Sequence, residues 1–164
     1  MALDPRQTVY YKRARFSTRL PLDRRYVASH YWLRKVSTGV WQVGLTKFAT
    51  RMLGEMVEHG FQAQLGEPVS LGQTIGWLEG FKAVADVYCA GEGQFGGGNP
   101  ELDRDVTLID SDPYDAGWLY TLLGEPDQNS LDVQGYMALL DLTIDKMLNK
   151  LETEANACPR PGSS

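Results

Sequence analysis

Over much of the chain apolar and polar residues alternate, the period of two that marks extended structure. Residues 26–34 and 40–43 carry it, and the turn residues Ser37-Thr38-Gly39 between them predict a strand pair. The period then lengthens. Thr46 is placed to cap a short helix near 46–53 with Phe48, Met52 and Leu53 on one face, and Gly54 stops it. Alternation returns over 56–64 and, after the turn Gly66-Glu67-Pro68, over 69–71 until Gly72 breaks it. Ile75, Trp77 and Leu78 lead into a run in which Val84, Asp86 and Tyr88 share one parity and Ala83, Ala85 and Val87 the other. These two runs predict a hairpin with Lys82 at or near its tip.

Past the hairpin the pattern loosens. Gly91, Gly93, Gly96, Gly97 and Gly98, closed by Asn99-Pro100, suggest tight turns or close backbone approach rather than a strand. Val106, Leu108 and Ile109 read as a short strand, Asp112-Pro113-Tyr114 as a turn, and 117–123 as a last strand carrying Trp118, Leu119, Tyr120 and Leu122. Residues 124–129 read as a linker. Ser130 is placed to cap a final helix near 131–151, whose Val133, Met137, Leu140, Ile144, Met147 and Leu151 form one apolar stripe, expected to pack on the sheet, with a docking surface for a partner as the alternative. At the other end, residues 1–25 interleave Val9, Tyr10, Tyr11, Phe16 and Leu20 with basic residues and read as an arm that packs on the domain without joining its core; residues 152–164 read as a disordered tail.

A length of 164 residues with 43% hydrophobic and 23% charged content suits one domain with a usable core. The chain shows no apolar run of about 18 residues and no apolar signal core, so membrane insertion is not expected and a cytoplasmic location is. Charge changes the picture more than composition does. Residues 1–25 hold seven Lys or Arg against two Asp, a local +5, whereas residues 55–115 hold twelve Asp or Glu against Lys82 and Arg104, a local −10, in a chain of net −5. Such a field disfavours nucleic acid and favours partners with basic docking faces.

Candidate chemistry is sparse. Gly91-Glu92-Gly93-Gln94-Phe95-Gly96 fits a dinucleotide fingerprint, but the Gly97-Gly98-Asn99-Pro100 that follows leaves no helix to receive a pyrophosphate. The carboxylates of Asp110, Asp112 and Asp115 depart from calcium-loop spacing, and turn chemistry explains them. Two histidines, His30 and His59, and two cysteines, Cys89 and Cys158, make neither a metal site nor a disulfide framework. Cys89 reads as a small buried hydrophobe with a redox role left open, and a Cys-His enzyme is not expected. By residue type alone Lys82 is a solvated charge on a turn.

Its neighbours say more. Glu79-Gly80-Phe81-Lys82-Ala83-Val84-Ala85-Asp86-Val87-Tyr88 resembles the lipoyl-lysine hairpin of the glycine cleavage system H protein family. Ser29-His30-Tyr31-Trp32 resembles the family's H-E-W strand, Val43-Gly44-Leu45-Thr46 its entry to the short helix, Leu53-Gly54-Glu55 the exit, and Asp112-Pro113-Tyr114 with Gly117-Trp118-Leu119 a further motif, in unbroken order over about 26–148. The resemblance implies a mainly β, lipoyl-domain-like barrel-sandwich hybrid of small antiparallel sheets over 26–151, including the C-terminal helix. It implies lipoate attached to Lys82, with Glu79, Gly66 and Gly93 at positions read by the attaching enzyme and His30 and Tyr31 near the arm. The protein would then be a carrier, not an enzyme.

The same comparison shows departures. Tyr31 stands where the family has Glu, an E-L-P run is absent around His59-Gly60-Phe61, and Ala90-Gly91-Glu92-Gly93-Gln94-Phe95 replaces P-V-S-G-x-V. In these the chain resembles divergent H-like lipoate-binding proteins associated with heterodisulfide-reductase-like sulfur oxidation. The implied partners are a lipoate-protein ligase or other lipoylating enzyme, a heterodisulfide-reductase-like complex, and dihydrolipoamide dehydrogenase. The alternative is a glycine cleavage H protein that carries an aminomethyl group between glycine decarboxylase and aminomethyltransferase. A further alternative is an unlipoylated interaction protein with the same fold.

Overall fold

A computed structural model describes residues 5–157 as eleven strands in three antiparallel sheets with three short to long helices. The strands are β1 (Thr8–Arg13), β2 (Phe16–Pro21), β3 (Arg25–Tyr26), β4 (Tyr31–Ser37), β5 (Val40–Leu45), β6 (Met56–Phe61), β7 (Pro68–Val69), β8 (Thr74–Gly80), β9 (Val84–Tyr88), β10 (Gly91–Gly98) and β11 (Tyr120–Pro126). The helices are α1 (Lys47–Leu53), α2 (Leu108–Ser111) and α3 (Val133–Ala157). A six-stranded sheet runs β3-β4-β5-β11-β10-β7, a three-stranded sheet β6-β8-β9, and β1-β2 stands as a separate hairpin. The mainly β expectation and the C-terminal helix hold.

Two apolar clusters hold the layers together. Leu33, Val43, Ile75, Leu78, Val87, Phe95 and Leu122 bury the facing sides of the two larger sheets. A second cluster joins the first hairpin to the helices through Tyr11, Phe16, Leu20, Phe48, Tyr136, Leu140 and Ile144. Here the reading of residues 1–25 is corrected: Leu20 is fully buried, so this segment supplies core as well as packing on it. Arg13 fastens it by a two-pronged contact to Asp145, and the Tyr11 hydroxyl donates to Asp141.

Other departures have local causes. The expected strand 26–34 is split by a turn in which His30 adopts φ +71 and its amide donates to the Val27 carbonyl. The glycine-rich stretch is a strand after all: a Cβ at Gly93 would lie 2.0 Å from the Leu123 carbonyl oxygen, so glycine lets β10 approach β11 and pair along it. The 106–109 segment begins a helix instead of a strand, because the Asp105 carboxylate accepts the Thr107 amide and winds the chain into α2. Gly117 sits in a turn and β11 starts at Tyr120, running through Pro126 into the expected linker. Asp132, not Ser130, caps α3 by accepting the Gly135 amide, while the Ser130 hydroxyl accepts from Arg25. Helix α3 continues past the expected end at Leu151 to Ala157; the rest of the expected tail, with Cys158, lies outside the described residues.

Candidate functional site

Lys82 sits in the connection between β8 and β9, and the alternation that placed it there is observed. Val84, Asp86 and Tyr88 face out, while Val87 is fully buried and Ala85 packs against the core. The tip does not hang free. The Lys82 amide donates to the Leu53 carbonyl at 2.9 Å, the Phe81 amide to the Glu55 carbonyl at 3.0 Å, and the Gly80 amide to the Ala83 carbonyl at 2.9 Å. The first two bonds clamp the turn onto the end of α1 and the third closes the turn on itself; Thr46 caps α1 at its start and Gly54 closes it at φ +81.

The close approach depends on a glycine that the sequence reading passed over. A Cβ on Gly80 would lie 2.2 Å from the Leu53 carbonyl oxygen, too near for any L side chain. Gly80, Gly54 and the carbonyl of Leu53 are therefore part of the site although none carries functional chemistry. The only signal in the sequence was a glycine two residues ahead of the lysine and another that stops the short helix.

The Lys82 side chain is exposed, and its Nζ donates to the Arg51 carbonyl at 3.3 Å. No carboxylate pairs with it among the described residues. Converting the ammonium to an amide therefore strands no buried counter-charge. Beside the tip lies a groove of about 230 Å³ walled by His30, Tyr31, Leu53, Leu78, Ala85 and Tyr88. The structure thus brings His30 and Tyr31 to the lysine hairpin. Burial holds the His30 imidazole down to about 4, so it is neutral near pH 7, with Nδ1 2.9 Å from the Tyr136 hydroxyl. The Tyr31 hydroxyl accepts the Tyr88 amide at 3.0 Å, and burial pushes its pKa to about 12.

The other candidates are placed differently. Glu79 lies on β8, half-buried, with Glu58 in register on β6 and Val84 on β9. Gly66 and Gly93 belong to the β7–β10 edge of the six-stranded sheet: the Gly66 amide donates to the Phe95 carbonyl, and Gly93 pairs with Val69. Local backbone needs account for both glycines. Cys89 is buried with its thiol donating to the Gly91 carbonyl, and burial raises its pKa, which keeps it protonated. No group of three or more metal-ligating side chains occurs among the described residues.

A family model described as glycine cleavage H-protein matches residues 24–141. The chain belongs to this family. Glycine cleavage system H proteins of Alteromonas mediterranea and Aeromonas hydrophila are 35% and 34% identical to it over 125 residues, covering 74% of this chain and 96% of each relative. The crystal structure of an H protein from Mycobacterium marinum matches with a TM-score of 0.65 at 32% identity, over 73% of this chain and 97% of that one. Glycine cleavage H proteins carry covalently attached lipoate and act as carriers, so the chain is a carrier component and not an enzyme. The residues present fit that group: an exposed lysine without an acid partner, on a clamped turn, beside a largely apolar groove.

Proposed function

We propose that this protein bears lipoate in amide linkage on Lys82 and serves as the carrier of a glycine cleavage system. The observation that carries the reading is the turn itself, an exposed lysine whose own amide is bonded to Leu53. The group when bound supplies a disulfide that can be reduced and re-formed. The protein's residues do the rest. The clamp fixes the point from which the arm swings, the Lys82 side chain reaches solvent, and the groove walled by Leu53, Leu78 and Tyr88 offers apolar surface beside it. Neutral His30 and unionised Tyr31 add no charge to that wall near pH 7, where Asp86 is the lining carboxylate.

The partners proposed are those of the family: glycine decarboxylase, aminomethyltransferase and lipoamide dehydrogenase. For the attaching enzyme, Glu79 is the recognition residue, near the end of β8 and three positions before Lys82 in the turn. Gly66 and Gly93 contribute backbone shape from the neighbouring sheet. No described helix is long and apolar enough to cross a membrane.

A second reading places the carrier in heterodisulfide-reductase-like sulfur oxidation. One observation favours it: the groove wall holds a buried tyrosine at position 31, where the resembling motif has a carboxylate that could meet an aminomethyl cargo. The named relatives favour glycine cleavage, which is therefore the main reading. Glycine-dependent turnover with glycine decarboxylase and aminomethyltransferase tests it. Sustained turnover with the lipoylated chain supports the main reading, and none above a chain-free control moves the assignment to the second.

A further inference from the structure

A second and larger groove, about 560 Å³, lies along the face of α1 next to the arm-side groove. Its walls are the turn between β1 and β2, the outer face of α1 and the last turns of α3, with Phe16, Met52, Met147 and Leu148 contributing apolar surface. Two of these walls, at positions 13–16 and 144–151, lie outside the stretch 24–141 matched by the family model. The groove is therefore an addition to the shared carrier core. It is also open: Leu148 is 46% and Leu151 61% exposed, so this end of α3 is left uncovered among the described residues.

Its charge is one-sided. Arg13, Arg15 and Arg51 line it and no acidic residue does, although the chain as a whole is net −5. Arg13 is committed to Asp145 and Asp141. Arg15 and Arg51 are exposed and have no carboxylate partner among the described residues. An apolar trough rimmed by two guanidinium groups that meet no carboxylate, Arg51 lying over the Phe16 ring, is complementary to an apolar ridge flanked by carboxylates, the face of an acidic amphipathic helix. The groove also adjoins the arm. Met52 lines both grooves, and the Arg51 carbonyl accepts the Lys82 ammonium.

We propose that this groove docks an acidic amphipathic helix of an enzyme that works on the Lys82 arm, so that the basic N-terminal hairpin and the end of α3 form a partner-selecting surface. That the docked enzyme acts on the arm rests on the carrier reading; docking of the helix does not. Seated there, the partner lies beside the root of the arm, on the face of α1 that adjoins the arm-side groove.

The test uses the full chain, with and without lipoylation, and a fluorescein-labelled synthetic helix bearing leucines at i, i+3, i+4 and i+7 flanked by glutamates. A second peptide carries lysines in place of the glutamates, and phosphatidylglycerol vesicles form a third arm. The acidic peptide is expected to bind saturably, more weakly as salt rises, and at least about tenfold more tightly than the basic one. Binding should fall about tenfold or more in the double variant Arg15→Glu, Arg51→Glu and in Leu148→Asp, and persist in Arg15→Lys, Arg51→Lys. All these positions are exposed, so an unchanged thermal midpoint verifies the fold. Absence of saturable binding, equal binding of both peptides, or acidic-peptide binding indifferent to the variants overturns the proposal. Vesicle binding that the same variants abolish, without peptide binding, reassigns the groove to a membrane surface and also overturns it. Peptide binding by a chain that is never lipoylated refutes the carrier reading alone; lipoylation without peptide binding refutes the groove alone.

Discussion

The backbone amide of Lys82 donates to the carbonyl of Leu53 at 2.9 Å, so the lysine is part of the helix terminus as much as of its own hairpin. A flexible arm gains from a fixed root, because the volume it sweeps is then set by its own length and not by motion of the turn. The clamp needs the Gly80 backbone against Leu53, where no side chain fits.

Gly80→Ala is therefore expected to separate the tip from α1. Relief of a 2.2 Å contact with a carbonyl oxygen requires a backbone shift, and the expected loss is about 1–3 kcal/mol in denaturant unfolding. Lipoylation rate should fall as well. An unchanged midpoint would show that the tip does not depend on this approach.

Glu79 gives the opposite pattern. It is half-buried, has Glu58 beside it in register, and like charges facing each other across strands repel. Glu79→Ala is expected to change stability by about 0.5 kcal/mol or less while lowering the rate of lipoylation by a purified ligase. Normal lipoylation in that variant would remove Glu79 from the recognition surface.

His30 should make stability depend on pH. Its folded pKa is held near 4 by burial, against 6.5 ordinarily, so the unfolded chain binds a proton that the folded chain refuses. The contribution is fully present above 6.5 and is lost as pH falls toward 4, a change on the order of 2–3 kcal/mol. Asparagine tolerates the left-handed backbone at this position, so His30→Asn removes the titration without straining φ +71. Urea midpoints of both proteins across that range should converge as pH falls; parallel curves would show that folding does not lower the affinity of the imidazole for a proton.

The lysine hairpin, the capped short helix and the C-terminal stripe were legible because each rests on local signals: alternation around Ile75 and Val87, a Thr and a Gly bracketing α1, and apolar steps of three or four along α3. What was not legible depends on distant partners. β10 reads as loop until β11 lies beside it and makes glycine necessary. The first hairpin reads as a surface arm because its buried residues, Tyr11, Phe16 and Leu20, meet α1 and α3 far along the chain. Lys82 itself was placed by pattern, but its bond to Leu53 joins residues from two elements that no local period connects. Tyr136, buried between His30 and Thr46, was missed because the stripe reading followed Met137 beside it.

The central claim is that Lys82 carries the lipoyl group, and intact-mass spectrometry after incubation with a lipoate-protein ligase, ATP and lipoate tests it most directly. The parent chain should gain the mass of one lipoyl unit, located by peptide mapping at Lys82, and Lys82→Arg should gain none. A parent that gains no mass, or a Lys82→Arg variant that still does, would contradict the account.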